Sequence, residues 1–200
     1  MNIWDSQVFK SKFSFDNTEV KAKMNIVMTR MVFAFLSIFI LFIGQPVIAD
    51  LEVNFIESAP KDRFIIKNTG ECVLKDLVLE IDLSESTGRL IFDTTATGAG
   101  VDVFQPFEVT EGEIELISSA AVEDGDTTLS LRIQNLPAGK AISFTIDVDD
   151  TLTASELGQT RVADSEISNG LVKARLREQE PVIATFGNNS KATVLLPTCP

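Results

Sequence analysis

The stretch AISFTIDVDD at residues 141–150 sets Ile142, Phe144, Ile146 and Val148 in alternation with Ser143, Thr145, Asp147 and Asp149. A period of two is the period of a β-strand, whose side chains point alternately to opposite faces. One face is apolar and the other polar, as in an antiparallel sheet with one buried and one wetted side. On this reading Asp147 and Asp149 share the wetted face.

The same pattern recurs on both sides of this stretch. Leu129, Leu131 and Ile133 alternate with Ser130, Arg132 and Gln134, and Leu77, Leu79, Ile81 and Leu83 alternate with Val78, Glu80 and Asp82. Leu51, Val53 and Phe55 repeat it, and RFIIKN at 63–68 is a further short strand. Turn residues separate these runs at Asn68-Thr69-Gly70-Glu71, Glu123-Asp124-Gly125-Asp126, Asn135 to Gly139 and Ser168-Asn169-Gly170. Gly187-Asn188-Asn189 lies between VIATF at 182–186 and ATVLL at 192–196, which predicts a β-hairpin. No stretch carries an extended helical stripe, and Leu152 to Gly158 has room for one helical turn. Short strands joined by turn residues predict an all-β fold, a two-sheet antiparallel β-sandwich. The immunoglobulin-like type is expected, with a jelly roll as the alternative.

The N-terminal region has a different character. Val32 to Ile43 reads VFAFLSIFILFI without a charge, and Lys21, Lys23 and Arg30 precede it. Gly44-Gln45-Pro46 breaks the run, and Val47-Ile48-Ala49 supplies the small residues of a cleavage site between Ala49 and Asp50. These are the three regions of a secretory signal. The apolar run is shorter than the roughly 20 residues of a comfortable membrane span. Met24 opens a signal of ordinary length, so residues 1–23 read as a disordered leader whose start is mis-annotated. The expected organisation is 1–23 leader, 24–49 signal peptide with its helix, and 50–200 a single β-sandwich domain. The product is exported to the periplasm or the extracellular space; the alternative is an inner-membrane anchor formed by an uncleaved signal helix.

Charge and composition exclude more than they assign. Five of the 17 Lys and Arg and three of the 29 Asp and Glu precede residue 50, which leaves 12 basic against 26 acidic side chains, net −14. Such a domain repels phosphate backbones and anionic membrane surfaces, so no nucleic-acid partner is expected. Membrane contact is expected only through the signal segment if it is retained. The chain contains no His and no Tyr, and its single Trp, Trp4, lies in the leader. His-based triads, bases and metal ligands are therefore impossible. Cys72 and Cys199 both follow the signal, and an even count in an exported domain predicts a disulfide. It would close a loop of about 128 residues and stabilise by roughly 5 kcal/mol in the chain-entropy account.

Calcium is the one ligand that the residues suggest. Asp147, Asp149 and Asp150 close an apolar strand, and Asp124 and Asp126 flank Gly125 in a second acidic turn. Calcium takes six to eight oxygen ligands, often carboxylates at strand ends. The spacing is not that of an EF-hand loop, and the alternative is a solvated acidic edge without an ion. A paired-carboxylate glycosidase would want aromatic sugar platforms, and the region after residue 50 has no Trp or Tyr. No catalytic residue and no other cofactor is expected. The sequon Asn188-Asn189-Ser190 is explained by its turn. Phe104 and Phe107, around Gln105-Pro106, are expected in the core at a sheet edge.

FIESAPKDRFIIKNTGECVL, LIFDTTATGAGVDVFQPFEV and LRIQNLPAGKAISFTIDVDDTL together resemble small exported proteins of marine alphaproteobacteria that carry the label aggregation factor core. The resemblance covers most of residues 51–196 and is most specific at APKDRF (59–64), GAGVDVFQPF (98–107) and FTIDVDDTL (144–152). The label derives from a sponge adhesion proteoglycan whose cohesion depends on calcium. The resemblance implies adhesion but supplies no defined active-site residues. The expectation is a non-enzymatic, exported β-sandwich for adhesion or protein interaction at the cell surface, assisted by calcium. Its partner would be a surface or extracellular protein or a second copy of itself. A structural envelope module without a ligand is the alternative, and a carbohydrate-active protein ranks third.

Overall fold

The computed structural model describes residues 49–101, 104–117 and 122–196, all within the compact unit Pro46–Pro200. The signal segment and Cys199 lie outside the described residues. Eleven strands follow one another: β1 (Ala49–Ile56), β2 (Asp62–Asn68), β3 (Leu74–Asp82), β4 (Ile91–Asp93), β5 (Glu108–Glu111), β6 (Glu115–Leu116), β7 (Thr128–Leu136), β8 (Ala141–Asp149), β9 (Leu171–Leu176), β10 (Val182–Thr185) and β11 (Lys191–Leu196). No helix occurs among the described residues; 152–158 is a run of bends in place of the predicted helical turn.

Two antiparallel sheets form. One has the order β11-β1-β2-β8-β4, with β5 also paired to β8, and the other has the order β10-β9-β3-β7-β6. The alternation read from the sequence sets their inner faces. Leu51, Val53, Phe55, Phe64, Ile66, Phe144 and Ile146 are buried on the first sheet; Leu77, Leu79, Ile81, Leu129, Leu131, Ile133, Val172 and Ala174 are buried on the second. A row of aromatic rings crosses the first sheet. Phe64 stacks on Phe144 at 5.1 Å between centroids, and Phe55 and Phe107 flank them at 5.1 and 5.0 Å. Offset ring pairs add roughly 0.5–1.5 kcal/mol each beyond the apolar area they bury. Phe107 thus packs on the core as expected, whereas Phe104 is only half-buried.

A buried polar residue closes one end. Asn68, fully buried, donates through Nδ2 to the carbonyls of Cys72 and Leu136, and its Oδ1 accepts from the Gly70 amide. The turn predicted at 68–71 is therefore tied to the end of β7.

The expected hairpin at 187–189 is corrected by the pairing. β10 pairs with β9 and β11 pairs with β1, in different sheets. The turn is a corner that carries the chain from one sheet to the other. Phe186, buried, holds its inner side, and the Gly187 amide donates to the Lys191 carbonyl across it. Turn residues announce a reversal but not which strand each arm will pair with.

Candidate metal centre

β8 is buried along nearly its whole length on both faces. Ile146 and Val148 face the core, and Asp147 and Asp149 face the other way by strand parity. That other face is not wet. Asp147 is 4 % exposed and Asp149 1 %. The expectation that they sit on a solvated face is corrected: both are buried, and the Val101 amide, from the chain that follows β4, reaches Asp149.

Register adds a third carboxylate. Asp93, at the end of β4, lies opposite Asp147, and Phe92 lies opposite Val148. Asp93 is 1 % exposed. One carboxylate oxygen from each of Asp93, Asp147 and Asp149 lies within 4.8 Å of the others. The Val101 amide donates to both Asp93 Oδ2 (3.0 Å) and Asp149 Oδ2 (2.9 Å). Asp147 Oδ2 and Asp149 Oδ1 are buried without any hydrogen-bond partner, and so is Thr145 Oγ1 two residues earlier on the same face.

Electrostatics reflects this crowding. Burial pushes the Asp147 carboxyl up to about 7, with the Asp149 and Asp93 charges adding to it. Burial also pushes Asp149 up to about 7, against the stabilising Val101 amide. Asp93 is raised as well, chiefly by burial. No Lys or Arg is paired with the trio among the described ion pairs. One shared amide and the side-chain hydrogen bond between Asp93 and Asp149 do not balance three such groups, and an unpaired buried charge carries a penalty of several kcal/mol.

The remaining acidic residues play other parts. Asp150, expected as a ligand, lies outside the trio. It is buried, its Oδ1 accepts from the Leu152 amide, and its Oδ2 has no partner. Asp124 accepts hydrogen bonds from both amides and both hydroxyls of Thr94 and Thr95. Burial would raise its carboxyl, but these bonds outweigh that and hold it below the usual range. Asp126 accepts from the Glu123 amide. The second acidic turn is therefore occupied by protein donors. Asp62, which the sequence reading did not single out, is raised to about 8 by burial, although the Ser58 and Val148 amides donate to it.

The donor set is all oxygen, which suits a hard cation. Calcium accepts an irregular shell of six to eight oxygens, whereas magnesium keeps several waters in near-ideal octahedral geometry. A centre this buried favours the ion that gives up its water more readily. Asp93, Asp147 and Asp149 would supply the protein part of the shell. Cys72 packs against the core, no free cysteine occurs among the described residues, and its expected partner lies outside them. Ala49 and Asp50, at the expected cleavage point, are the first two residues of β1 and pair with Leu196 and Leu195.

No family model, no curated protein and no solved structure matches this chain.

Proposed function

We propose that this protein is an exported, non-enzymatic β-sandwich for adhesion or protein interaction at the cell surface, and that Asp93, Asp147 and Asp149 bind the calcium ion that assists it. The observation that carries the reading is the convergence of three buried carboxylates, two of them with an unpartnered oxygen, and no balancing cation side chain among the described residues. The resemblance to exported proteins labelled aggregation factor core supports the adhesive role, and the apolar segment before Ala49 supports export. The acidic balance of the domain favours solubility outside the cell and attraction of cations.

Calorimetry with calcium on chelator-treated protein tests the ion. Heat of binding at one ion per chain is expected, and no heat together with an unchanged melting temperature sinks it. Light scattering tests the role. Calcium-dependent self-association supports adhesion, and a monodisperse monomer in both states counts against adhesion by this domain alone. Its partners on this reading are a second copy or another surface protein. N-terminal sequencing of the exported product should begin at Asp50.

For the finer fold, we assign the immunoglobulin-like type. The order β1-β2-β8 with the β4–β5 edge, against β3-β9-β10, matches the adjacency of the ABED and CFG sheets. β6, β7 and β11 lie outside that pattern and are the grounds for the jelly-roll alternative.

A further inference from the structure

β4 and β5 are two halves of one edge strand. β2 occupies one side of β8 along residues 141–146, so β5, paired to 143–145, lies on the other side with β4, paired to 147–149. Both run antiparallel to β8. Between them the chain leaves the sheet. Asp93 is the last residue before it leaves, and Gln105 marks its return, donating its amide to the Asp93 carbonyl and accepting from the Asp147 amide.

The outgoing arm, residues 94–101, doubles back onto its own root. Its first two residues are held by Asp124, as described above. From Thr95 to Gly100 the arm is exposed and buries no large apolar side chain. Its far end is fixed where the Val101 amide reaches Asp93 and Asp149. Gly100 passes so close to Asp93 that a Cβ there would fall 2.3 Å from Asp93 Oδ2, and its φ of +120° already disfavours any other residue. Segments that are exposed and poor in apolar contacts open most easily. The end of this arm rests on a group of carboxylates that repel one another.

We propose that the cation held by Asp93, Asp147 and Asp149 fixes the 94–101 arm against β8, so that the order of this arm depends on cation occupancy. The proposal rests on the calcium reading above. The cation offsets the repulsion among the three carboxylates. Asp93 and Asp149 then hold fixed positions, and the Val101 amide keeps both acceptors. Without it, the carboxylates separate or take up protons, and the far end of the arm loses its anchor. Two exposed loops should then respond differently to calcium: the arm, which ends on the trio, and the 153–160 loop, which does not.

Hydrogen exchange of the exported chain, in chelator and in 10 mM calcium, compares peptides from these two loops, with calorimetry on the same sample. Calcium should slow exchange in the far part of 94–101 at least tenfold and change 153–160 less than twofold. Calcium that binds by calorimetry but leaves the arm unchanged, or slows both loops equally, overturns this proposal and leaves the calcium site standing. Absence of binding overturns both. Gly100→Ala forces the arm off Asp93 without removing a carboxylate. It should lose most of the calcium-dependent protection of the arm, and full retention of that protection would also overturn the proposal.

Discussion

Replacing Asp147 with Asn keeps the size of the side chain and removes one of three crowded charges. In the ion-free domain the Asp147 carboxyl is raised to about 7 from an ordinary 3.8. A group raised in this way contributes stability that is fully present below its ordinary value and lost as pH climbs through the folded one. Three units at about 1.4 kcal/mol each give a loss of roughly 4 kcal/mol by pH 8. The Asn variant has no such loss. It carries instead a buried amide without assured partners, at about 1–3 kcal/mol whatever the pH. In chelator, the melting temperature of the variant relative to the parent should therefore rise between pH 5 and pH 8. Only about two of the three units fall between pH 5 and the folded value, so the swing in that window is about 2.7 kcal/mol, or roughly 5–10 °C at about 2–4 °C per kcal/mol for a domain of this size. Calcium should act in the opposite sense. If the dissociation constant is about 0.1 mM, as for extracellular calcium modules, 10 mM calcium stabilises the parent by about 2.7 kcal/mol. The variant should gain less than about 1 kcal/mol. Melting curves at the two pH values, with chelator and with calcium, give all the comparisons. A difference that stays flat with pH, with equal calcium increments in both proteins, refutes the electrostatic account of the trio.

Asn68→Ala leaves the carbonyls of Cys72 and Leu136 and the Gly70 amide without the partner they share, and should lower stability by about 2–3 kcal/mol in chemical denaturation while the calcium increment persists. Phe64→Ala opens a cavity in the middle of the aromatic row and should lower stability by about 3–5 kcal/mol, with calcium binding retained in whatever fraction stays folded. Thiol titration of the denatured protein should find no reactive thiol before reduction and two after it, as the proposed pairing of Cys72 with Cys199 requires; two thiols without reductant would exclude that pairing.

The parts of this fold that the sequence makes legible are those governed by local periodicity. The alternation at 141–149 states which side chains share a face, and β8 keeps that parity. The parity does not say what covers the polar face. That depends on contacts such as the one from the Val101 amide to Asp93 and Asp149, and no local pattern marks where a strand is interrupted. For the same reason Asp93 is not visible as a candidate ligand. It stands more than fifty positions from Asp147, and only the β4–β8 register makes them neighbours. Asp150 lies outside the group of three through the same parity that brings Asp147 and Asp149 together. The reversal at 187–189 is legible as a turn, and its change of sheet is not, because that is decided by what β1 and β9 offer on either side.

The site follows from this interruption. Ser143, Thr145, Asp147 and Asp149 share the outer face of β8, and all four are buried. Where the chain leaves the sheet after Asp93 it returns to meet Asp93 and Asp149 through the Val101 amide, and all three carboxylates are buried there. A sequence with only packing to satisfy would do better there with Ser, Thr or Asn, each of which can be buried at less cost than an ionised Asp. Buried Glu166 fits such a rule, accepting from the Ala163 and Glu156 amides, and half-buried Asp124 has four hydrogen bonds from Thr94 and Thr95. The trio does not, since two of its oxygens face no donor. Protons can settle the imbalance at low pH and a divalent cation can settle it at neutral pH and above. Calcium should therefore matter most where protons no longer serve, and its stabilising effect on the parent should grow as pH rises from 5 to 8. An effect that shrinks over that range would place the bound ion somewhere other than on these carboxylates.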